Sequence, residues 1–245
     1  MKRLAVLALL TVVLPHSQAK AQQPRPADEP EEKTEGRWLK QNEVAYIKIP
    51  SFGALRFQEA ALRLVREFAA ARALIIDVRG NGGGNTPGGL LRALMTKPYR
   101  RWTESTPQTL AVLKYRGDYA EDTMMSWSSG TSQPDNPVFK GRLVILADGG
   151  CGSACEDFLM PFKDNGRATV VGETTGGSTG QPYIYDFGNG MLLFVSSVRE
   201  FFPDGSEFEG VGIRPDVEIP LTAEELKTGT DRALARALEL AEARP

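Results

Sequence analysis

The sequence predicts an α/β fold, and three observations carry that prediction. Residues 44–50 (VAYIKIP) alternate and are rich in β-branched groups, the pattern of a strand with Ala45, Ile47 and Ile49 on one face and Tyr46 and Lys48 on the other. Residues 57–72 place Ala61, Leu64, Val65 and Phe68 on one stripe, the pattern of an amphipathic helix. Residues 73–78 (ALIIDV) are continuously apolar, as in a strand buried on both faces. Strand, helix and buried strand in this order make a βαβ unit with a right-handed crossover.

The stretch that organises the chain is 143–157, LVILADGGCGSACED. Its apolar start reads as a buried strand. Asp148-Gly149-Gly150 is a turn signal, and Phe158, Leu159 and Phe162 then recur at helical spacing. Ser153 therefore stands where a strand hands over to a helix. Unpaired N–H groups and the positive end of the helix dipole suit that place to a nucleophilic hydroxyl and a developing oxyanion. The alternative is that Ser153 only caps the helix, since Glu156 three residues on completes a capping-box pattern.

Bulk properties narrow the classes. The chain has 245 residues and a net charge of −2, with no basic block of the kind that binds nucleic acid. It opens with Met-Lys-Arg, an apolar run over 4–14, and Ala19-Lys20-Ala21; residues 1–21 thus read as a cleaved secretory signal, which predicts a periplasmic or secreted protein. No later run is long and apolar enough to span a membrane. Residues 22–42 are polar and Pro-rich and read as a solvated leader, leaving 43–245 as one domain. The only histidine, His16, lies inside the signal, so the mature chain has none. The two cysteines, Cys151 and Cys155, bracket Ser153. A disulfide and a pair of buried thiols are both compatible with their spacing. Two thiols without histidine are too few ligands for a metal.

Residue 78 leads into Arg79-Gly80-Asn81-Gly82-Gly83-Gly84-Asn85. This run lacks the glycine and the Gly-Lys-Ser/Thr of nucleotide loops, and is better suited to presenting N–H groups to an oxyanion. Residues 87–95 read as a helix with Pro87 in its first turn. Residues 97–140 are the least legible: 109–115 reads as a strand, and 118–137 as a surface loop. Residues 168–171 form a short strand before the glycine-rich 172–178. Residues 182–187 and 191–198 form a hairpin around Gly188-Asn189-Gly190. Residues 222–243 read as one closing helix with Thr222–Glu225 as a capping box.

The order of these motifs resembles the core domain of the tricorn and C-terminal processing serine peptidases. The resemblance spans most of 43–242 and rests on Tyr46–Pro50, Asp77–Gly84, Gly152-Ser153-Ala154-Cys155-Glu156, 164–168, 172–177 and Glu209–Asp216. It implies a crotonase/ClpP-like core built from ββα units, Ser153 as nucleophile, and an oxyanion hole from the N–H groups of Ala154 and the Gly82–Gly83 region. It implies no metal or organic cofactor. A peptide or unfolded protein tail is the implied substrate, and self-association into a homo-oligomer is compatible with it. Both branches commonly carry a PDZ domain ahead of the core, for which 22–42 is too short.

Two positions depart from the family pattern. The processing branch keeps a lysine base where this chain has Ser178. The tricorn branch uses a histidine where this chain has Lys48, with a glutamate at the position of Glu209. Lys163, ten positions beyond Ser153 on the same helix, is roughly 15 Å away along its axis and out of reach. Lys48 is therefore the expected base. It works only if burial brings its pKa down from the usual ~10.4 toward neutrality, and an ionised Glu209 alongside opposes that. The expectation is a serine peptidase with a Ser153–Lys48 dyad. The alternative is a catalytically impaired peptide-binding protein on the same fold, with Lys48 and Glu209 as an ion pair. An acyl-CoA enzyme on a crotonase-like core is a third class.

Overall fold

The computed structural model describes residues 33–108, 115–117, 123–128, 130–134 and 136–243. The expected signal and the start of the leader lie outside them, as does the strand expected at 109–115 except for Tyr115.

A six-stranded sheet forms the frame, in the order β1 (Glu35–Lys40), β2 (Val44–Lys48), β3 (Ala73–Asp77), β8 (Arg142–Ala147), β9 (Thr169–Gly172) and β13 (Val217–Glu218). β1 runs antiparallel to β2, and every other pairing is parallel. Helices α1 (Leu55–Glu67), α2 (Gly88–Leu94) and α3 (Ala154–Asp164) contribute to the core on one face. Ala45, Ile47, Ile49, Leu74, Ile76 and Ile145 point into it. The intervening residues Val44, Tyr46, Ile75, Val144 and Leu146 point the other way. There they meet α5 (Arg232–Glu242), which is preceded by the short α4 (Ala223–Thr228). Both faces are thus apolar, which is why β3 and β8 read as uninterrupted hydrophobic runs.

The solvated leader expected to end at residue 42 ends earlier. Residues 35–40 form the edge strand β1, whose Trp38 packs edge-on against Phe68 at 5.1 Å between ring centroids. At an edge a partner on one side, here β2, is enough to satisfy alternate backbone groups. The single closing helix is two helices. Gly229 takes a left-handed conformation (φ 72°) and ends α4, while Asp231 caps α5 by accepting from Leu234 N. Thr222 and Glu225 do form the capping box.

The region least legible in the sequence holds a small antiparallel sheet. β5 (Thr103–Gln108) is flanked by β6 (Thr123–Ser128) and by β12 (Arg199–Phe201). Part of the loop expected at 118–137 is therefore a strand. Two further pairs complete the described strands: β4 (Tyr99–Arg100) with β7 (Thr131–Ser132), and the predicted hairpin of β10 (Tyr183–Asp186) with β11 (Leu192–Val195).

Candidate active site

The loops that leave the C-terminal ends of the parallel strands converge on one turn. Asp148, just past β8, accepts hydrogen bonds from Gly80 N (2.8 Å) and Gly150 N (3.0 Å), tying the first glycine loop to the turn that follows. Asn81, fully buried, holds three pieces together: its amide donates to Ile49 O (3.1 Å), its side-chain oxygen accepts from Gly83 N (3.0 Å), and its carbonyl accepts from Gly152 N (3.1 Å). Ser153 sits at the apex with φ 53° and ψ −125°, a conformation that costs a non-glycine residue about 1–3 kcal/mol and is held by its surroundings. Cys151 and Cys155 form a disulfide across it, with 5.6 Å between Cα atoms. Of the two states the sequence left open, the bonded one is found.

Glu156 locks this turn to the second glycine loop. It is fully buried and its carboxylate accepts from Thr175 Oγ1 (2.5 Å), Gly177 N (2.7 Å), Ser178 N (3.0 Å) and Ser153 N (3.2 Å). Burial pushes its pKa up, and the four donors pull it down. Ser178, at the position of the processing-branch lysine, uses its carbonyl to accept from Ser153 N (2.7 Å). The same loop reaches the last motif, because Ile213 N donates to Thr175 Oγ1 (2.8 Å).

Ser153 opens onto a cavity of about 300 Å³ whose walls include Gly84, Arg101, Glu104, Asp157 and Glu200. Asp157 accepts from Thr86 Oγ1 (2.5 Å) and Trp102 Nε1 (2.8 Å). Burial pushes the Asp157 carboxyl up in pKa, against those two bonds. Glu200 is pushed up to about 8, first by burial and then by the charges of Asp157, Glu104, Glu209 and Glu156. Neither a histidine nor a lysine lines this cavity among the described residues.

Not all the residues singled out in the sequence meet here. Lys48 lies at the end of β2, on the face that Tyr46 shares, and lines a different cavity with Asp77, Arg79 and Asp231. Ser153 opens the helix α3 on the opposite face. The strand's two-residue period puts the Lys48 side chain on the face away from α3. Lys48 and Ser153, expected as a dyad, line different cavities. Glu209 Oε1 accepts from Glu200 N (3.1 Å), and Glu200 lines the cavity of Ser153. Gly83 packs directly against the Ser153 turn. A Cβ on it would lie 2.7 Å from Ser153 Cβ and 2.9 Å from Ala154 N, so only glycine lets the loop come this close. Its own N–H donates to Asn81 Oδ1 (3.0 Å). Ala154 N is the first N–H of α3 and has no acceptor within the helix. In the glycine run, Gly84 rather than Gly82 lines the cavity.

Residues 43–219 match the peptidase family S41. The chain belongs to that family. This S41 chain is 30% identical over 201 residues to the carboxyl-terminal-processing protease of Synechocystis sp., covering 80% of its own length and 43% of the relative's. It is 26% identical over 198 residues to the tricorn protease of Thermoplasma acidophilum, covering 80% of itself and 16% of that protein. It therefore spans less than half the length of either relative. Among solved structures it superposes on a photosystem II D1 C-terminal processing protease with a TM-score of 0.54 and 23% identity, over 72% of this chain and 42% of the other. On a crystal structure of the tricorn protease the TM-score is 0.58 at 24% identity, over 81% and 18%. These likenesses agree with the fold.

Three residues of the S41 chain's site escaped sequence reasoning in their present parts. Asn81 carried a visible signal, an asparagine amid glycines that reads as a side-chain-to-backbone turn. Glu156 was legible only as a helix cap, since its three bonds to 175–178 join segments about twenty positions apart. Glu200 had no local signal: it lies on a three-residue strand whose inward side is set by pairing with β5.

Proposed function

We propose that this S41 chain is a serine peptidase that hydrolyses peptide bonds in peptides or unfolded protein tails. The processing of carboxyl termini named for its relatives is the substrate class carried over to it. One observation carries the reading: Ser153 is held in a positive-φ turn at the head of a helix, with a glycine loop packed against its Cβ. In this reading Ser153 Oγ attacks the carbonyl carbon and its proton passes to a neighbouring acceptor. The oxyanion that forms is held by Ala154 N–H and by a backbone N–H of Gly82 or Gly84 in the glycine loop. The leaving amine takes up the proton and water then releases the acyl group from Ser153. With Lys48 on the other face, the available acceptors in the cavity are carboxyl groups, so Ser153 is a weak nucleophile that gains reactivity as pH rises. Export is part of the proposal and is supported by the Cys151–Cys155 bond, which persists in oxidising compartments; N-terminal sequencing of the exported chain checks it.

A fluorophosphonate probe tests the chemistry. The expected result is covalent labelling that Ser153→Ala abolishes and that Lys48→Ala changes by less than about twofold. No labelling of the folded chain up to about pH 10, where a lysine begins to deprotonate, leaves a peptide-binding protein on a peptidase fold. Loss of labelling in Lys48→Ala alone would restore Lys48 as the base.

A further inference from the structure

Glu200 is 3% exposed, and its Oε2 has no hydrogen-bond partner among the described residues. A carboxyl buried in this way costs free energy unless something pairs with it. It lines the Ser153 cavity together with Glu104 and Asp157. The charges of Asp157, Glu104, Glu209 and Glu156 all bear on it unfavourably, and Arg101 is the cation of that cavity's described lining, acting on Asp157. The field inside the cavity therefore favours a further positive group. Asp157 has both oxygens engaged by Thr86 and Trp102 and adds charge, whereas Glu200 has an acceptor to spare.

We propose that Glu200, backed by Glu104 and Asp157, forms a subsite for the cationic side chain of a lysine or arginine flanking the scissile bond. An ammonium or guanidinium group has donors only, so it supplies the hydrogen bond that Oε2 lacks and a positive charge that offsets the three carboxyls. The location next to a scissile bond rests on the peptidase reading; the binding of a cation does not. Because an incoming cation has to find Glu200 ionised, preference for it strengthens with pH. The groups that set this are Glu104 on β5, Glu156 and Asp157 on α3, Glu209, and Arg101.

The test compares peptides identical except for lysine, arginine, norleucine or glutamate at one position, scanned along the sequence. Turnover is measured with the full chain, and binding by fluorescence anisotropy with Ser153→Ala. The expected result is a lysine-to-norleucine ratio of about tenfold at one position, growing between pH 6 and 9. Glu200→Gln is expected to bring the ratio to within about twofold, and Glu104→Gln to lower it part-way. A purely structural loss would lower both peptides together and leave the ratio alone. Equal binding of lysine and norleucine at every position overturns the subsite, whatever the turnover. A lysine preference in binding without any turnover keeps the subsite and sinks the peptidase reading.

Discussion

At Gly83 a single hydrogen atom decides whether the site can exist. A methyl group there would meet Ser153 Cβ and Gly152 O at 2.7 Å and would also have to adopt φ 100°. Neither obstacle can move, because one is the Cβ of the strained Ser153 and the other is backbone held by Asn81. Gly83→Ala is therefore expected to cost about 2–4 kcal/mol of stability. Probe labelling of Ser153 should drop with it. Urea denaturation and labelling rate check this together, and a variant with unchanged midpoint and rate would show that the loop can retreat. The glycine run itself was conspicuous in the sequence. That Gly83 comes this close to Ser153 was not, because the Asn81 side chain that accepts its N–H and the turn it packs on are brought together only by the folded loop.

Among the elements, β1 best separates composition from packing. Residues 22–42 look like one polar stretch, yet 35–40 pair with β2 over five registered positions and bring Trp38 onto Phe68. Gly36 allows it, since a Cβ there would lie 2.6 Å from a Leu64 methyl. A chain beginning at residue 33 is expected to melt as the longer one does. A chain beginning at 43 would expose the edge of β2 and the Phe68 face, and should melt several degrees lower, as a loss of about 2 kcal/mol implies. Equal melting temperatures would mean that the edge strand is dispensable. The strands and helices with strong periodicity were legible: β2, β3, β8, α1 and α3 all occur where hydrophobic pattern puts them. Residues 103–108 and 199–201 were not, because these short strands take shape only from their partners, β5 from β6 and β12, and β12 from β5.

For the whole molecule, buried acid links stability to pH. Glu200 holds its proton up to about pH 8 in the folded state against an ordinary 4.5. The folded chain thus binds a proton that the unfolded chain has already released. The contribution is fully favourable below the unfolded value and is lost as pH rises through about 8, by an amount on the order of 5 kcal/mol. Glu156 and Asp157, also pushed up by burial, act in the same direction. Stability from urea midpoints is expected to fall between pH 5 and 8, and Glu200→Gln should flatten that decline. Parallel profiles for the two proteins would place the pH dependence elsewhere.

The sequence by itself determined the α/β class, the position of Ser153 between a strand and a helix, and the two glycine loops, because each is written in local pattern: runs, periods and turn residues. Tertiary structure alone decided which side chains share the cavity. In a parallel strand that is apolar on both faces, sequence shows the alternation but not which face carries the helix that begins at Ser153, and so Lys48 could not be placed. The same is true of Glu200 and Glu156, whose neighbours come from segments far apart in the chain and are chosen only when the sheet, its helices and the loops close around them.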